Sequence, residues 1–548
     1  DVAPSRGLGD VYKRQQLYIT IFKQMVILNI QQIIIELFAS NNISYIFKER
    51  SCFFMKKLQD YKFWFIVGSQ FLYGPEALKA VEEDAKKMVE GLNASGKLPA
   101  KIEFKAVGTT AEVIDRFVMD ANYDDTCAGI ITWMHTFSPS KMWIRGLKKL
   151  QKPYLHLHTQ YNREIPNEEI DMDFMNLNQS AHGDREHGFI GTRMRLARKI
   201  VVGYWETEAV QNKIATWMRT AIGVIASADL KVIRFGDNMR NVAVTEGDKV
   251  EAEIKFGWSV NTHAVGDLVQ YINAVTEEQI DAQVAEYQTK YEMNTDNIAS
   301  VRYQAKVEVA IKKFLEDNKA DGFVNTFEDL YGMDQLPGLA TQDLTGQGYG
   351  FGPEGDWKIA CLTAVMKTMA QGVDKGTALM EDYTYHFGKD GEDSYNLGAH
   401  MLEVCPSVAE GTPKIEVHEL GIGGKDAPAR LVFEGKAGSA IVATLVDMGG
   451  RMRLIVNDVE CVKPIMPMPN LPVARVMWKP MPSLEEAGEA WILAGGAHHS
   501  VISYTVTAEQ LRDWANMMGI EFVHITKDLD MDKFKDQLML SDIMWKLK

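Results

Sequence analysis

From Lys62 onward the chain alternates short apolar runs with longer amphipathic stretches. The run at 64–70 predicts a buried strand, and a helix is predicted to begin at Pro75, because proline is common in the first turn of a helix. Three further apolar runs follow at 101–108, 127–136 and 152–160. Strands separated by helices of this length indicate parallel βαβ units. We therefore interpret residues 55–230 as one doubly wound α/β domain.

A second unit of the same kind begins at 231–237 and extends to about residue 375. Its amphipathic periodicity predicts helices near 264–275, 277–291 and 297–317. Residues 231–375 are therefore expected to form a second α/β domain of the Rossmann-like, doubly wound class.

The pattern of apolar and polar residues changes after residue 375. Residues 430–462 alternate short β-rich runs with glycine-containing turns, which is typical of an antiparallel meander. One last amphipathic helix is expected at 507–519. The predicted architecture is thus two Rossmann-like α/β domains followed by a C-terminal, mainly antiparallel β domain with helices, at 376–548.

Composition places the chain among packed globular proteins. Its 548 residues are 46% hydrophobic and 24% charged, and at this length two or three domains are expected. The formal net charge is −15 and no dense stripe of lysine and arginine reverses it, so a nucleic-acid partner is not expected. The five cysteines are scattered and form no CxxC pair, which is typical of reduced thiols in the cytoplasm.

Residues 1–54 are predicted to be a non-native leader. Residues 1–15 resemble the translation of a sequencing adapter, and residues 16–54 have the Ile-, Asn- and Lys-rich composition of translated AT-rich DNA. The longest apolar part, 25–35, is too short and too polar to span a bilayer, so no membrane partner is expected. We expect Met55 to be the true start, with an amphipathic anchor as the alternative.

Histidine is scarce, at 12 residues, so its placement is informative. Carboxylates and imidazoles recur in four segments of the C-terminal half, at Glu354, Glu381, His400 and His499. A mixed set of two carboxylates and two imidazoles suits a divalent ion of the Mn, Co or Fe type. From spacing alone the alternative stays open that the glutamates are solvated and the histidines are ordinary hydrogen-bonded residues.

Three other patterns are set aside. His156 and His158 point to one face of a strand, but no third metal ligand lies nearby, so packing or hydrogen bonding is the favoured interpretation. The glycine-rich run at 346–352 lacks the strand and helix setting of a dinucleotide-binding loop. Cys405 lies close to His400, but no third partner is spaced to orient a base, so a Cys/His nucleophile is not expected.

Long segments from Met55 onward carry a family resemblance. They lie at 66–76, 134–144, 170–195, 234–269, 326–340, 347–357, 380–387, 400–407, 420–433 and 490–499. These segments resemble those of the L-arabinose isomerase family, in the fucose-isomerase-like superfamily. One mild departure is Ala378–Leu379, where relatives often carry Ser and Phe, which puts the pocket wall and the substrate preference in doubt.

The resemblance implies a site. It implies one divalent ion per subunit, Mn²⁺ with Co²⁺ as a substitute, bound by Glu354, Glu381, His400 and His499. The two glutamates would also be the catalytic acid/base pair. The implied substrate contacts are Gln70, Gln179, His182, Met239, Phe327 and His498. The family assembles as trimers or hexamers, so a homo-oligomer with the active site at a subunit interface is expected.

The implied activity is the conversion of L-arabinose to L-ribulose through an enediol or enediolate, the first step of L-arabinose catabolism, in the cytoplasm. Two alternatives stay open. One is an isomerase of the same family that acts mainly on another aldose, converting D-galactose to D-tagatose or acting on L-fucose. The other is a non-catalytic sugar-binding protein.

Overall fold

The structure is a computed structural model that describes residues 57–547. Its N-terminal sheet has five strands: β1 (Lys62–Gly68), β2 (Lys101–Gly108), β3 (Cys127–Met134), β4 (Tyr154–His158) and β5 (Lys199–Val202). All pair in parallel, in the order β2-β1-β3-β4-β5. The helices are α1 (Gly74–Ala94), α2 (Ala111–Tyr123), α3 (Ile144–Leu147), α4 (Met172–Leu177), α5 (Ser180–Arg193) and α6 (Glu208–Ala228).

Alternate residues of β1 enter two different cores. Phe63, Phe65 and Val67 belong to one hydrophobic cluster, whereas Trp64 and Ile66 belong to another. Successive strand residues point to opposite faces, so both faces of this sheet are covered. The run of consecutive apolar residues in the sequence follows from that double burial.

The central sheet is also parallel. Its strands are β6 (Lys231–Phe235), β7 (Ser259–His263), β9 (Gly322–Asn325) and β10 (Gly350–Gly352), in the order β10-β9-β6-β7. The helices are α7 (Lys249–Phe256), α8 (Val265–Ala274), α9 (Glu277–Lys290), α10 (Ile298–Asn318), α11 (Leu339–Gly346) and α12 (Trp357–Ala370). The three helices predicted from periodicity match α8, α9 and α10 to within two residues. Every residue of α12 is buried.

The C-terminal part is a closed antiparallel sheet. Its strands are β11 (Thr377–His386), β12 (Tyr395–Ala399), β15 (Gly438–Asp447), β16 (Met452–Val462), β17 (Arg475–Pro480) and β18 (His499–Ser503). They follow the order β15-β18-β11-β12-β17-β16, and β16 pairs again with β15, so the ring closes and these six strands leave no open sheet edge. A further strand, β19 (Glu521–Ile525), adds in parallel to β16.

A small fourth sheet corrects the predicted meander. It contains β8 (Glu292–Met293), β13 (Lys414–Val417) and β14 (Ala429–Val432). Residues 438–462 do form an antiparallel hairpin, but the run at 429–432 pairs with β13 instead of joining the ring. Local patterning cannot distinguish these two partners, because both offer an antiparallel neighbour.

The C-terminal helices are more numerous than predicted. They are α13 (Leu484–Ala494), α14 (Ala508–Met518) and α15 (Met531–Lys546). The helix predicted at 507–519 is confirmed as α14, but the expectation that it is the last one is wrong. Phe534 is the one buried residue of α15, and Met531 and Leu538 pack partly buried against the same hydrophobic cluster. Short 3₁₀ turns lie at Leu58–Asp60, Phe71–Tyr73, Ser140–Trp143, Ala243–Thr245, Pro353–Gly355 and Pro406–Val408.

The fold is therefore mixed α/β, with two parallel-sheet regions and a C-terminal antiparallel region, as predicted. The finer assignment to Rossmann-like, doubly wound domains, and the domain limits at 230 and 375, stay predictions. The predicted leader, 1–54, lies outside the described residues. Over 57–547, no helix combines the length and the apolar character that crossing a bilayer requires.

Candidate metal centre

Strand pairing brings three of the four predicted ligands together. Glu381 in β11 lies directly opposite His499 of β18 on one side and Ala399 of β12 on the other. His400 immediately follows Ala399. Residues opposite each other in antiparallel strands lie about 5 Å apart, so this register alone gathers one carboxylate and two imidazoles.

The fourth predicted ligand comes from the central sheet. Glu354 lies in the turn between β10 and α12, at the carboxyl end of a parallel strand, where open α/β sheets usually place ligands. Its backbone is left-handed, with φ 57° and ψ 22°, which is uncommon for a residue other than glycine. Surrounding contacts must hold such a conformation in place.

The four side chains lie in two close carboxylate–imidazole pairs. Oε2 of Glu354 lies 3.9 Å from Nε2 of His499, and Oε2 of Glu381 lies 3.9 Å from Nε2 of His400. The two imidazole rings are 6.0 Å apart between centroids. His498 adds a third imidazole, with Nε2 3.8 Å from Oε2 of Glu354, and the ligand atoms of Glu354, His498 and His499 all lie within 4.8 Å of one another.

The imidazoles are oriented for an ion. Nδ1 of His400 is 2.5 Å from Oε2 of Glu403, and Nδ1 of His499 is 3.2 Å from Oδ2 of Asp356. The Nε2 atoms of His400 and His499 are both buried without a hydrogen-bond partner. Metal-binding histidines typically use one ring nitrogen for a carboxylate and the other for the metal. Distances of 3.9 Å exceed a hydrogen bond but stay within the span of about 4.2 Å that two ligands of one ion, at about 2.1 Å each, can reach.

Charges in the site favour the ionised form of Glu354. The neighbouring imidazole of His498, with His499 and His400, lowers the pKa of Glu354 against the effect of burial. Burial acts to lower the pKa of His400, but Glu403 and the two predicted ligand glutamates raise it to about 9. The residues present fit a divalent cation, since two oxygen and two nitrogen ligands match the preference of Mn-type ions.

Three predicted substrate contacts lie at this site. Phe327 lines one cavity together with Glu354 and His400. The backbone N–H of Met239 donates to the carbonyl of Glu354 at 2.9 Å. His498 is the third, through the approach to Glu354 given above. Leu336, Leu420 and Ile422 supply apolar wall to the same cavity.

The other three predicted contacts form a separate group at the carboxyl end of the N-terminal sheet. Gln70 follows β1, and Nε2 of Gln179 donates to the hydroxyl of Tyr73 at 3.2 Å. Nδ1 of His182 is 3.1 Å from Oε1 of Gln179, and its ring stacks on Phe137. Within residues 57–547, no hydrogen bond or ion pair connects Gln70, Gln179 or His182 with the four predicted metal ligands.

The structure also places the patterns that were set aside. His156 Nε2 and His158 Nδ1 lie 2.8 and 2.9 Å from the two oxygens of Asp184. This hydrogen bonding is the favoured interpretation of that pair. Cys405 is buried, and its sulfur accepts from Nζ of Lys367 at 3.4 Å.

The sequence analysis did not predict the residues that hydrogen-bond to the candidate ligands. Asp356 and Glu403 orient the two imidazoles, and Nζ of Lys358 lies 3.0 Å from Oδ1 of Asp356. Their sequence signal was local: Asp356 is two positions after Glu354, and Glu403 is three after His400. An acidic residue at such a spacing is common on any surface, so the signal becomes meaningful only when the fold is known.

Comparisons with known proteins agree with the resemblance. Family models for the N-terminal, central and C-terminal domains of L-arabinose isomerase match residues 57–229, 231–372 and 376–521. The L-arabinose isomerase of Geobacillus kaustophilus (strain HTA426) is 56% identical over 498 residues, which cover 90% of this chain and 100% of that protein. That of Clostridium beijerinckii is 57% identical over 493 residues, with the same coverage.

A solved structure of GanP, a glucose-galactose binding protein from Geobacillus stearothermophilus, is 11% identical with a TM-score of 0.13, over 57% of this chain and 90% of that one. At that TM-score the likeness carries no argument. The three family models and the two relatives decide the question: the chain belongs to the L-arabinose isomerase family and is an isomerase.

Proposed function

We propose that this protein is a metal-dependent aldose–ketose isomerase that converts L-arabinose to L-ribulose. One observation carries the proposal: two buried imidazoles, each oriented by its own carboxylate, leave Nε2 unpaired beside a glutamate. The relatives support the substrate, since those described above are L-arabinose isomerases. The proposed place of the reaction is the first step of L-arabinose catabolism, in the cytoplasm.

Aldose–ketose isomerisation moves one proton between C2 and C1 and another between the two oxygens. A divalent ion, Mn²⁺ in this proposal and Co²⁺ as its substitute, would supply Lewis-acid stabilisation of the negative charge of an enediolate. Glu354, Glu381, His400 and His499 would hold it. The protein's own contribution to chemistry is proton transfer by the two glutamates.

The imidazole of His498 lowers the pKa of Glu354, so this carboxylate is ionised near neutral pH and free to accept a proton, although the lowered pKa makes it a weaker base. Glu381, whose Oε2 lies 3.9 Å from Nε2 of His400, would serve as the second member of the acid/base pair. Phe327 and the apolar residues of the same cavity would exclude water from the reacting carbons. Paired carboxylates in different environments can divide acid and base roles.

The remaining predicted contacts point to an assembly. A separate polar group is formed by Gln70, Gln179 and His182. Among the described residues, it makes no direct hydrogen bond or ion pair with the candidate metal centre of the same chain. We propose that this group completes the pocket of a neighbouring subunit in a trimer or hexamer. The apolar residues around it support an interface, since Phe71, Leu72 and Met175 expose 66%, 82% and 52% of their surface.

The test is a metal-depletion experiment on the purified chain. We expect EDTA-treated protein to form no ribulose from L-arabinose, and Mn²⁺ to restore ketose formation. A panel of L-arabinose, D-galactose and L-fucose, measured as kcat/KM, distinguishes the arabinose enzyme from a family member with another preferred aldose. Full activity after verified removal of divalent ions would refute the metal dependence. Sugar binding without any ketose would instead favour a binding protein.

A further inference from the structure

One backbone carbonyl, that of Thr245, accepts hydrogen bonds from two side chains that support the candidate metal centre. The oxygen of Thr245 accepts from Nδ2 of Asn238 at 2.6 Å and from Nζ of Lys358 at 3.0 Å. All three residues are buried, with Asn238 4% and Lys358 0% exposed. A buried ammonium and a buried amide are costly unless they are hydrogen-bonded, so their partners fix their positions.

Asn238 supports the turn that carries Glu354. Its Nδ2 also donates to the carbonyl of Gly355 at 3.3 Å, and its Oδ1 accepts from Arg234. Gly355 has φ +78°, and a Cβ there would lie 2.7 Å from the Cα of Asn238. Gly355, which follows the left-handed Glu354, is therefore packed directly against the Asn238 backbone.

Lys358 supports the imidazole of His499. Its Nζ donates to the carbonyl of Glu246 at 2.8 Å and forms an ion pair with Oδ1 of Asp356 at 3.0 Å. The other oxygen of Asp356 lies 3.2 Å from Nδ1 of His499. Lys358 thus neutralises and anchors the carboxylate that sets the direction of the His499 ring.

We propose that Lys358 and Asn238 are positioning residues for the ion site, joined through the carbonyl of Thr245. Lys358 orients His499 by way of Asp356, and Asn238 holds the backbone of Glu354. The inference rests on the ion site of the proposed function, and it extends that site by two residues that touch neither ion nor sugar. Outer partners of this kind typically contribute about ten- to a hundredfold to metal affinity.

The test measures Mn²⁺ affinity of the EDTA-treated full chain by electron paramagnetic resonance of free Mn²⁺. Lys358→Met and Asn238→Asp are each expected to weaken binding about ten- to a hundredfold. Lys358→Arg should recover most of the affinity, because it restores the cation. Since both residues bond one carbonyl, the double variant should lose less than the product of the two single losses.

Matched controls separate positioning from general damage to the core. Lys367→Met removes another buried lysine from the same helix, α12, and that lysine bonds Cys405. Asn457→Asp changes an asparagine that is also 4% exposed and donates to two carbonyls, those of Met481 and Ile525. Both controls should keep Mn²⁺ affinity within about threefold, below the range of outer partners, even where the thermal midpoint falls equally.

Each outcome of this experiment either supports or overturns the positioning role. Affinities of Lys358→Met and Asn238→Asp equal to those of their controls overturn the inference, as does wild-type protein that binds no Mn²⁺. Should Lys358→Met fail to fold, Asn238→Asp against Asn457→Asp decides alone. An inactive wild type whose Mn²⁺ affinity falls in the two variants refutes the proposed activity and leaves the positioning role supported. Active wild type with unchanged affinities refutes the positioning role alone.

Discussion

His156 with His158, in the N-terminal sheet, and His400 with His499, in the C-terminal region, are both held by carboxylates, but with different consequences. Asp184 alone serves the first pair, through one oxygen each. The second pair has two separate carboxylates, and each free Nε2 lies 3.9 Å from a further glutamate.

The unpaired nitrogens show the difference. Nδ1 of His156 is also buried without a partner, and the imidazole ring of His187 lies 5.0 Å from the His156 ring between centroids. Asp184 is the carboxylate beside His156, and its two oxygens already bond His156 and His158. The comparison teaches that an unpaired buried nitrogen indicates an ion site where a second carboxylate, besides the one that orients the ring, lies next to it.

The largest expected effect comes from the glutamates that distinguish the second pair. Glu354→Gln or Glu381→Gln should lower kcat about a hundred- to ten-thousand-fold, because each removes a proposed acid/base group as well as an ion ligand. Steady-state ketose formation at saturating Mn²⁺ measures this. Glu416→Gln is the matched control, since Glu416 also pairs with a histidine, His418, at 2.7 Å. More than about a tenth of wild-type activity in either variant contradicts the assignment.

The next largest effect is expected from substitutions in the two histidine pairs. His400→Asn or His499→Asn should weaken Mn²⁺ binding more than about a hundredfold, because outer partners alone contribute ten- to a hundredfold. His156→Asn should leave the affinity unchanged. Calorimetric titration of the metal-free protein measures both. Equal losses in the two pairs would mean that the comparison does not identify the ion site.

Mn²⁺ affinity measured as a function of pH tests the protonation of His400. Glu403 raises the pKa of His400 to about 9 against the effect of burial, so its proton must leave before Nε2 can bind a cation. Mn²⁺ affinity should therefore rise up to about tenfold per pH unit below pH 9 and level off above it.

The same shift predicts the stability of metal-free protein. A raised pKa stabilises the fold below the ordinary value of about 6.5, and that stabilisation is lost as pH rises through about 9. Thermal midpoints of EDTA-treated protein should fall across this window, less so in Glu403→Gln. A midpoint independent of pH from 6.5 to 9 would contradict a protonated His400.

The smallest effect on the ion is expected from Asp184→Asn. Asp184 accepts from two imidazoles and from the backbone N–H of Met134, so the change should cost about 1.5–3 kcal/mol of stability for each lost charged hydrogen bond. Mn²⁺ affinity should not change. Differential scanning calorimetry and the titration above measure the two quantities, and a loss of affinity would show that the N-terminal group reaches the ion.

Local sequence predicted much of the fold. Periodicity found α8, α9, α10 and α14 nearly to the residue, because each buries an apolar face. It missed α15, which buries one residue, and it joined the run at 429–432 to the wrong sheet. Pairing partners are chosen by residues far apart in the chain, so no local pattern specifies them.

The sequence by itself predicted the kinds of candidate ligand, two carboxylates and two imidazoles, in segments whose resemblance pointed to one family. The tertiary structure decided which of these side chains lie together and which of their atoms lack a hydrogen-bond partner. The register of β11 with β12 and β18 gathers Glu381, His400 and His499, and Asp356 and Glu403 decide which ring nitrogen is free. The physical reason is that hydrogen-bond direction and burial depend on neighbours brought together by folding, whereas residue type does not.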